Sequence, residues 1–319
     1  MRILKSKEYD LLAYLFSQTQ EELKKTLRAF LMNKYKNKVK ANNDFIVAEG
    51  NIPIALVAHM DTVYTSPVED LYYDQKKGVM WSPQGIGADD RAGIFAILKI
   101  LESGLRPHVI LTTDEEIGGV GAMALAQEYI PFKNLKYLIQ LDRRGSNDCV
   151  FYDCENTDFI EYIESFGFIE RFGSFSDISI LCPAWNVCGV NLSIGYENEH
   201  NYIETLHINA LFKTIEKVKT MLKVEDIPDF KWMSSMKYRW WVDDSVVCSH
   251  CKKTYEEYDT IPYIKKDGKL GYLCPECLAA ADIEWCDSCG LAYEPTVEKG
   301  RKICNKCMAK MKVKVKTHG

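Results

Sequence analysis

The strongest pattern along the chain is a series of near-continuous apolar runs, each ending in polar residues. IPIALVAH (52–59), HVILTTD (108–114), KYLIQLD (136–142) and VNLSIGY (190–196) predict strands buried on both faces. Between them, RAGIFAILKILESG (91–104) and VGAMALAQEY (120–129) predict helices, the first closed by Gly104. Residues 6–33 also predict helix, with Leu11, Leu12, Tyr14, Leu15 and Phe16 in one stretch and Leu23, Leu27, Phe30 and Leu31 in the next. From Ile208 to Leu222, the helical spacing of Leu211, Ile215, Val218 and Leu222 predicts a closing amphipathic helix. This alternation implies an α/β fold with a largely parallel central sheet flanked by helices.

A chain of 319 residues suggests one large and one small domain. The large domain is expected at 1–224 and the small one at 246–319. Residues 225–245 lack periodicity and are expected to be a linker, with Trp232, Trp240 and Trp241 packing one domain on the other. With 47% apolar residues and a net charge of −5, nothing global points to nucleic acid. The charged start MRILKSKEYD offers no apolar stretch of the signal-peptide kind, and no uncharged apolar run of about 18 residues occurs, so a cytoplasmic protein without a membrane partner is expected.

Cysteine placement adds a second kind of chemistry. Eight of the 12 cysteines form four Cys-x-x-Cys pairs: Cys248/Cys251, Cys274/Cys277, Cys286/Cys289 and Cys304/Cys307. Eight thiolates at this spacing suit two tetrahedral structural zinc ions in a double zinc ribbon, and metal-ligand spacing in place of a disulfide framework favours a reducing compartment. A region this short, with few large aliphatics, needs bound metal to fold. Sequential pairing is the expected arrangement and an interleaved one the alternative. Cys149, Cys154, Cys182 and Cys188 sit among apolar neighbours and are expected to be small buried hydrophobes. After Glu298, the basic run Lys299, Arg301, Lys302, Lys306, Lys310, Lys312, Lys314 and Lys316 is expected to be a solvated end; with the ribbons it could also meet a protein or nucleic acid.

The polar residues at the strand ends carry the remaining signal, because open α/β sheets place their sites there. The first predicted strand ends in His59-Met60-Asp61, and a glycine-rich turn leads to Asp89-Asp90 at a helix start. The next strands end in Asp114-Glu115-Glu116 and Asp142, and the last is followed by His200. Taken singly, such residues usually hydrogen-bond locally or cap a helix. Together they offer imidazoles and carboxylates to one crevice and suit a pair of divalent metals. Of the adjacent pair, one of Glu115 and Glu116 could bind metal while the other moves a proton. Asp61 is placed to accept the second N–H of His59.

The segments ALVAHMDTV, GIGADDRAGIFAIL, TTDEEIGGVGA, LIQLDRRG and IGYENEHNYIE, in this order, resemble the co-catalytic zinc exopeptidases: leucine-type and tetrahedral aminopeptidases, peptidase T and glutamate carboxypeptidases. The resemblance spans about residues 45–222. It implies two catalytic divalent metals, zinc being expected and cobalt or manganese the alternatives. One would take His59, Asp89 and Asp142; the other Asp89, Glu116 and His200, with Asp89 bridging. It further implies Glu115 as general base and a cis peptide between Asp89 and Asp90. His200 and Glu204 fit the family's ligand spacing; His207 does not and is expected to start the closing helix. GSFSDI (173–178) resembles a site-lining segment of the compact aminopeptidases, although Ser176 and Asp177 would also suit an ordinary turn.

Only 27 residues separate Asp61 from Asp89, and only 57 separate Asp142 from His200. Neither interval has room for the inserted domains of the larger family branches, so a compact aminopeptidase-type hydrolase of peptide substrates is expected. Arg143 and Arg144 are expected to pair with nearby acids. An amidohydrolase or deacylase of a non-peptide acyl conjugate is the alternative enzyme. An inactive zinc-ribbon adaptor is the alternative from another class, though the full set of ligand types with Glu115 speaks against it.

Overall fold

The apolar runs become the centre of a sheet. The computed structural model describes residues 2–128, 132–233, 245–256, 260–288, 291–295 and 302–308, and its contacts divide into two units, Met1–Ser235 and Met236–Gly319. In the first unit, the predicted strands become β3 (Ile52–His59), β6 (Pro107–Thr112), β7 (Tyr137–Arg143) and β10 (Cys188–Ser193). They lie side by side in the order β6-β3-β7-β10, and each adjacent pair is parallel. Short strands β1 (Val39–Ala41) and β2 (Phe45–Ala48) extend one edge antiparallel; β8 (Asp148–Val150) and β9 (Ile169–Glu170) extend the other. The result is an eight-stranded, mixed but centrally parallel sheet, bearing out the α/β expectation.

Alternate side chains of β3 serve two cores, as a strand's period of two requires. Ile54, Leu56 and Ala58 face a core shared with α1 (Ser6–Phe16), α2 (Gln20–Tyr35), α3 (Ala88–Glu102) and α7 (Ile208–Met221). Ala55 and Val57 face a second core with Leu125 of α4 (Val120–Ala126) and Leu181 of α6 (Asp177–Trp185). Helices on both faces explain why β3 reads as a continuous apolar run.

The single N-terminal helix expected over 6–33 is two helices. Thr19 breaks it: its hydroxyl accepts from the Glu22 N–H at 3.3 Å, while Glu22 accepts from the Thr19 N–H at 3.0 Å, a reciprocal cap for α2. Leu15 and Leu23 are both buried, so the apolar period continues across the break and hides it. The predicted run 190–196 likewise divides at Gly195, whose φ of +104° turns the chain out of β10 and into β11 (Tyr196–Glu197). β11 belongs to a second sheet with β12 (Thr205–His207), β5 (Val79–Trp81) and β4 (Tyr72–Asp74). His207 caps α7 at its N-terminus.

Residues 225–233 pack against the first unit. Ile227, Phe230 and Trp232 lie against its core, and Asn156 donates to the Lys231 carbonyl at 2.7 Å. Trp240 and Trp241 lie outside the described residues. Cys149, Cys154, Cys182 and Cys188 are buried free thiols. Among the described residues, no helix is long and apolar enough to cross a membrane.

The second unit has a hairpin, β13 (Ser245–Val247) and β14 (Thr254–Glu256). It also has a four-stranded sheet in which β16 (Leu270–Leu273) and β15 (Ile261–Ile264) adjoin β18 (Ala292–Tyr293) and β17 (Glu284–Trp285). Cys248, Cys251, Cys274 and Cys277 bring their sulfurs within 4.8 Å of one another, as do Cys286, Cys304 and Cys307. Cys289 lies outside the described residues, as do Lys299, Arg301, Lys310, Lys312, Lys314 and Lys316. Backbone N–H groups of Cys274 and Cys304 point at the sulfurs of Cys248 and Cys286, at 3.5 and 3.2 Å. Such donors favour thiolates, the form that binds metal.

Candidate metal centre

Each candidate side chain sits where a central strand ends or a turn is forced. His59 is the last residue of β3 and is fully buried; Asp142 lies near the end of β7, next to β3 in the sheet. Asp89 and Asp90 precede the regular part of α3, and the peptide between them is cis. Glu115 and Glu116 follow β6, and His200, with a φ of +59°, lies in the loop between β11 and β12.

The five proposed ligands converge. His59 Nε2 lies 3.1 Å from Asp89 Oδ1 and 3.5 Å from Asp142 Oδ1. His200 Nε2 lies 3.3 Å from Asp89 Oδ2 and 2.9 Å from Glu116 Oε2. Asp89 therefore presents one oxygen to each imidazole. Three overlapping groups, His59/Glu115/Glu116, His59/Asp90/Asp142 and Asp89/Glu116/His200, have ligand atoms within 4.8 Å of one another. His59, Asp89 and Asp142 are buried, whereas the His200 side chain is half exposed, so solvent reaches this cluster from the His200 side.

The donor chemistry fits divalent cations. The other nitrogen of His59, Nδ1, lies 3.1 Å from Asp61 Oδ1, and a carboxylate there holds the N–H on Nδ1. That leaves a lone pair on Nε2 facing two carboxylates, which only a proton or a cation can reconcile. Asp61, Asp89, Asp90, Glu115, Glu116, Asp142 and Asp177 together outnumber the two imidazoles. Without a cation, protons take up this excess. Burial pushes Asp142 and Asp90 well above the carboxylate range, reinforced for each by the other nearby carboxylates. Burial, with the charges of Asp177, Asp89 and Glu116, raises Glu115 to about 8. Hydrogen bonds to Asp89 and Glu116 raise His200 to about 11. For Asp89 burial acts upward, but bonds from His200 and His59 outweigh it and hold the group well below the usual range.

A surrounding set of hydrogen bonds fixes these groups. Besides His59, the Asp61 carboxylate accepts the backbone N–H of Glu115 at 3.1 Å and of Glu116 at 3.0 Å, tying the end of β3 to the Glu115–Glu116 turn. Glu204, fully buried, accepts the N–H groups of Gly87 and Asp89, both at 3.0 Å. Tyr196 donates to Asp142 Oδ1 at 3.2 Å, and Gln140 donates to Oδ2 at 3.2 Å. Ser176 lies 3.4 Å from the same Oδ2, and the Thr112 hydroxyl donates to Asp177 at 2.6 Å. Arg144 pairs with Glu199 at 3.0 Å, as expected, whereas Arg143 donates to the Phe172 carbonyl. Gln140 and Tyr196 were not expected at the site, and Asp90 was expected beside it without a role of its own. Asp90 and Tyr196 lie inside the very segments that carry the resemblance, and the polar Gln140 within a buried strand was itself an available signal.

The centrally parallel sheet covered on both faces, with imidazoles and carboxylates gathered beyond its strand ends, is a fold that the chain shares with solved tripeptidase and aminopeptidase structures. No protein-family model matches the sequence, and no curated protein matches it. Among solved structures, the chain is similar to a tripeptidase from Staphylococcus aureus subsp. aureus Mu50, with a TM-score of 0.54 and 15% identity over 69% of this chain and 98% of that one. It is also similar to the aminopeptidase PepT from Bacillus cereus ATCC 10987, with a TM-score of 0.51 and 14% identity over 69% and 98%. A TET aminopeptidase from a marine-sediment Thaumarchaeota archaeon gives 0.51 and 15% over 70% and 98%. At these identities the likeness is one of fold.

Proposed function

We propose that the first unit is a two-metal hydrolase of peptide bonds, of aminopeptidase type. The observation that carries this reading is Asp89, whose two oxygens face His59 and His200 separately, as a carboxylate bridging two cations must. His59 and Asp142 would complete one metal site with Asp89, and Glu116 and His200 the other. Two bound cations would supply a water of lowered pKa and a polarised substrate carbonyl. Glu115 takes the proton of the attacking water and returns it to the leaving amine. It is buried beside the cluster, and nearby cations would draw its pKa down from about 8 into a range suited to a base at neutral pH. Asp61 holds His59 in the tautomer that leaves Nε2 free.

The test separates two adjacent carboxylates. Glu115→Gln keeps size and hydrogen bonding, so it should retain wild-type metal content while turnover of aminoacyl substrates falls by about 100-fold or more. Glu116→Gln should lose part of the metal, counted against the wild-type full chain so that ribbon zinc cancels. If Glu115→Gln sheds metal and Glu116→Gln keeps it, the roles are reversed; if neither impairs hydrolysis, the mechanism fails.

We also propose that Cys248, Cys251, Cys274 and Cys277 hold one structural zinc ion, and that Cys286, Cys304 and Cys307, with Cys289, hold another. The sulfur clustering and the backbone N–H groups directed at two of the sulfurs support this reading.

A further inference from the structure

Beside the metal centre lies a cavity of about 480 Å³, large enough for an amino-acid side chain or a short peptide end. Its walls come from the turn joining α1 to α2, from the loop after β3 and from the glycine-rich turn before α3; Glu116 stands at one side. Phe16, Val68 and Ile86 make part of it apolar. Two polar atoms in this lining have no partner. The hydroxyl of Thr62 and the Nε–H of Arg91 are both buried without a hydrogen bond.

Arg91 is the unusual group. It is only 2% exposed, and among the described residues it is the cationic side chain lining the cavity. Its Nη1 donates to the carbonyls of Leu15 and Gln18, at 2.7 and 3.0 Å, so its hydrogen bonds go to backbone rather than to a carboxylate. The acids that share the cavity are already engaged. Asp61 accepts three N–H groups, Asp114 accepts from Gln20 at 3.0 Å, and Glu116 faces His200. The charges of Asp61 and Asp90 favour its cationic form, but no carboxylate accepts its Nε–H; a buried donor left unpaired is costly, and a planar carboxylate is the acceptor its geometry suits.

We infer that this cavity is a carboxylate-recognition site, in which Arg91 and Thr62 bind an anionic group of the substrate close to the bond being cut. The assignment of the anion to a substrate rests on the peptidase reading above; the anion site itself rests on the cavity and its two unpartnered groups. The carboxylate has two sources in a peptide, the side chain of an acidic amino-terminal residue or the terminal carboxylate of a dipeptide. Arg91 and Thr62 act as specificity residues in either case.

The experiment uses the metal-loaded full chain and two matched pairs: glutamyl against glutaminyl anilide, and Leu-Gly against Leu-glycinamide. Hydrolysis and calorimetric binding are measured for all four. The carboxylate member of one pair should be preferred by about 10-fold or more, the scale of a charge-assisted hydrogen bond in a buried site. Preference in the first pair identifies the side chain as the source, and preference in the second identifies the peptide terminus. Arg91→Met should abolish the preference. Because Arg91 also ties down two carbonyls, Thr62→Val serves as a second variant and should reduce it. Equal handling within both pairs, or a preference unchanged in the folded variants, overturns the inference. Selective carboxylate binding that depends on these residues, without hydrolysis of any compound, would sustain the anion site and refute the peptidase reading.

Discussion

Replacing Asp61 by asparagine tests how the centre is held together. The carboxylate accepts three hydrogen bonds: from His59 Nδ1 and Glu115 N on Oδ1, both at 3.1 Å, and from Glu116 N on Oδ2 at 3.0 Å. Burial opposes its charge, but the bond and charge of His59 and the two backbone donors outweigh this and hold its pKa below the usual range. Asparagine has one acceptor oxygen. With that oxygen toward His59 and Glu115, its NH₂ meets the Glu116 N–H, donor against donor; turned over, it opposes two donors. The better orientation loses one bond to a charged group and strands one N–H, about 2–3 kcal/mol. The same change loosens the His59 tautomer and the Glu115–Glu116 turn, so metal affinity should fall about 10- to 100-fold. Denaturant unfolding of the metal-free protein reads the first effect, and competition with a graded chelator reads the second. An Asp61→Asn protein with wild-type unfolding midpoint and wild-type metal affinity would refute the clamp.

His108 should make the protein acid-sensitive away from the metal centre. It is 2% exposed, stacks on Phe132 and accepts the Gly50 N–H at 3.0 Å, and burial lowers its pKa to about 4. The unfolded chain, with a pKa near 6.5, binds this proton first, so stability present above pH 6.5 is lost as pH falls toward 4, at up to about 1.4 kcal/mol per pH unit. The metal-free His108→Asn protein, which keeps an acceptor for Gly50, should show a shallower acid limb in pH-dependent unfolding; an identical limb would exclude His108 as the cause. Gly93→Ala would set a methyl 2.3 Å from the Leu141 carbonyl, driving α3 away from β7. A loss of about 1–3 kcal/mol is expected by thermal unfolding, with weaker metal retention because Asp89 leads into the same helix. Chelation of a 245–319 fragment should abolish its circular-dichroism signature and thermal transition, and a fold that survives complete zinc removal would contradict the structural role.

Much of this protein is written locally. The buried runs of β3, β6, β7 and β10 could be read because a strand covered on both faces has no need of polar residues until its end. For the same reason His59, Asp89, Glu115, Glu116, Asp142 and His200 could be picked out, each following an apolar run or a glycine-rich turn. The cysteine pairs likewise carry their spacing in the chain. The break at Thr19 was hidden, because the apolar period of α1 runs on into α2, although α1 ends at Phe16 and a reciprocal cap at Thr19 starts the second helix.

Only the tertiary structure decided which groups meet. The Asp61 bonds to Glu115 and Glu116 exist because β3 and β6 are neighbours in the sheet, although the residues are 54 and 55 positions apart. Tyr196 reaches Asp142 across 54 positions, and Gln20 reaches Asp114 across 94. Arg91 reads in sequence as the first residue of a helix; the turn between α1 and α2 folds over it and leaves its Nε unpaired beside a cavity. Propensity and periodicity act within one element. Strand order and the burial of a particular polar atom depend on the packing of the whole core, which no short window of sequence contains.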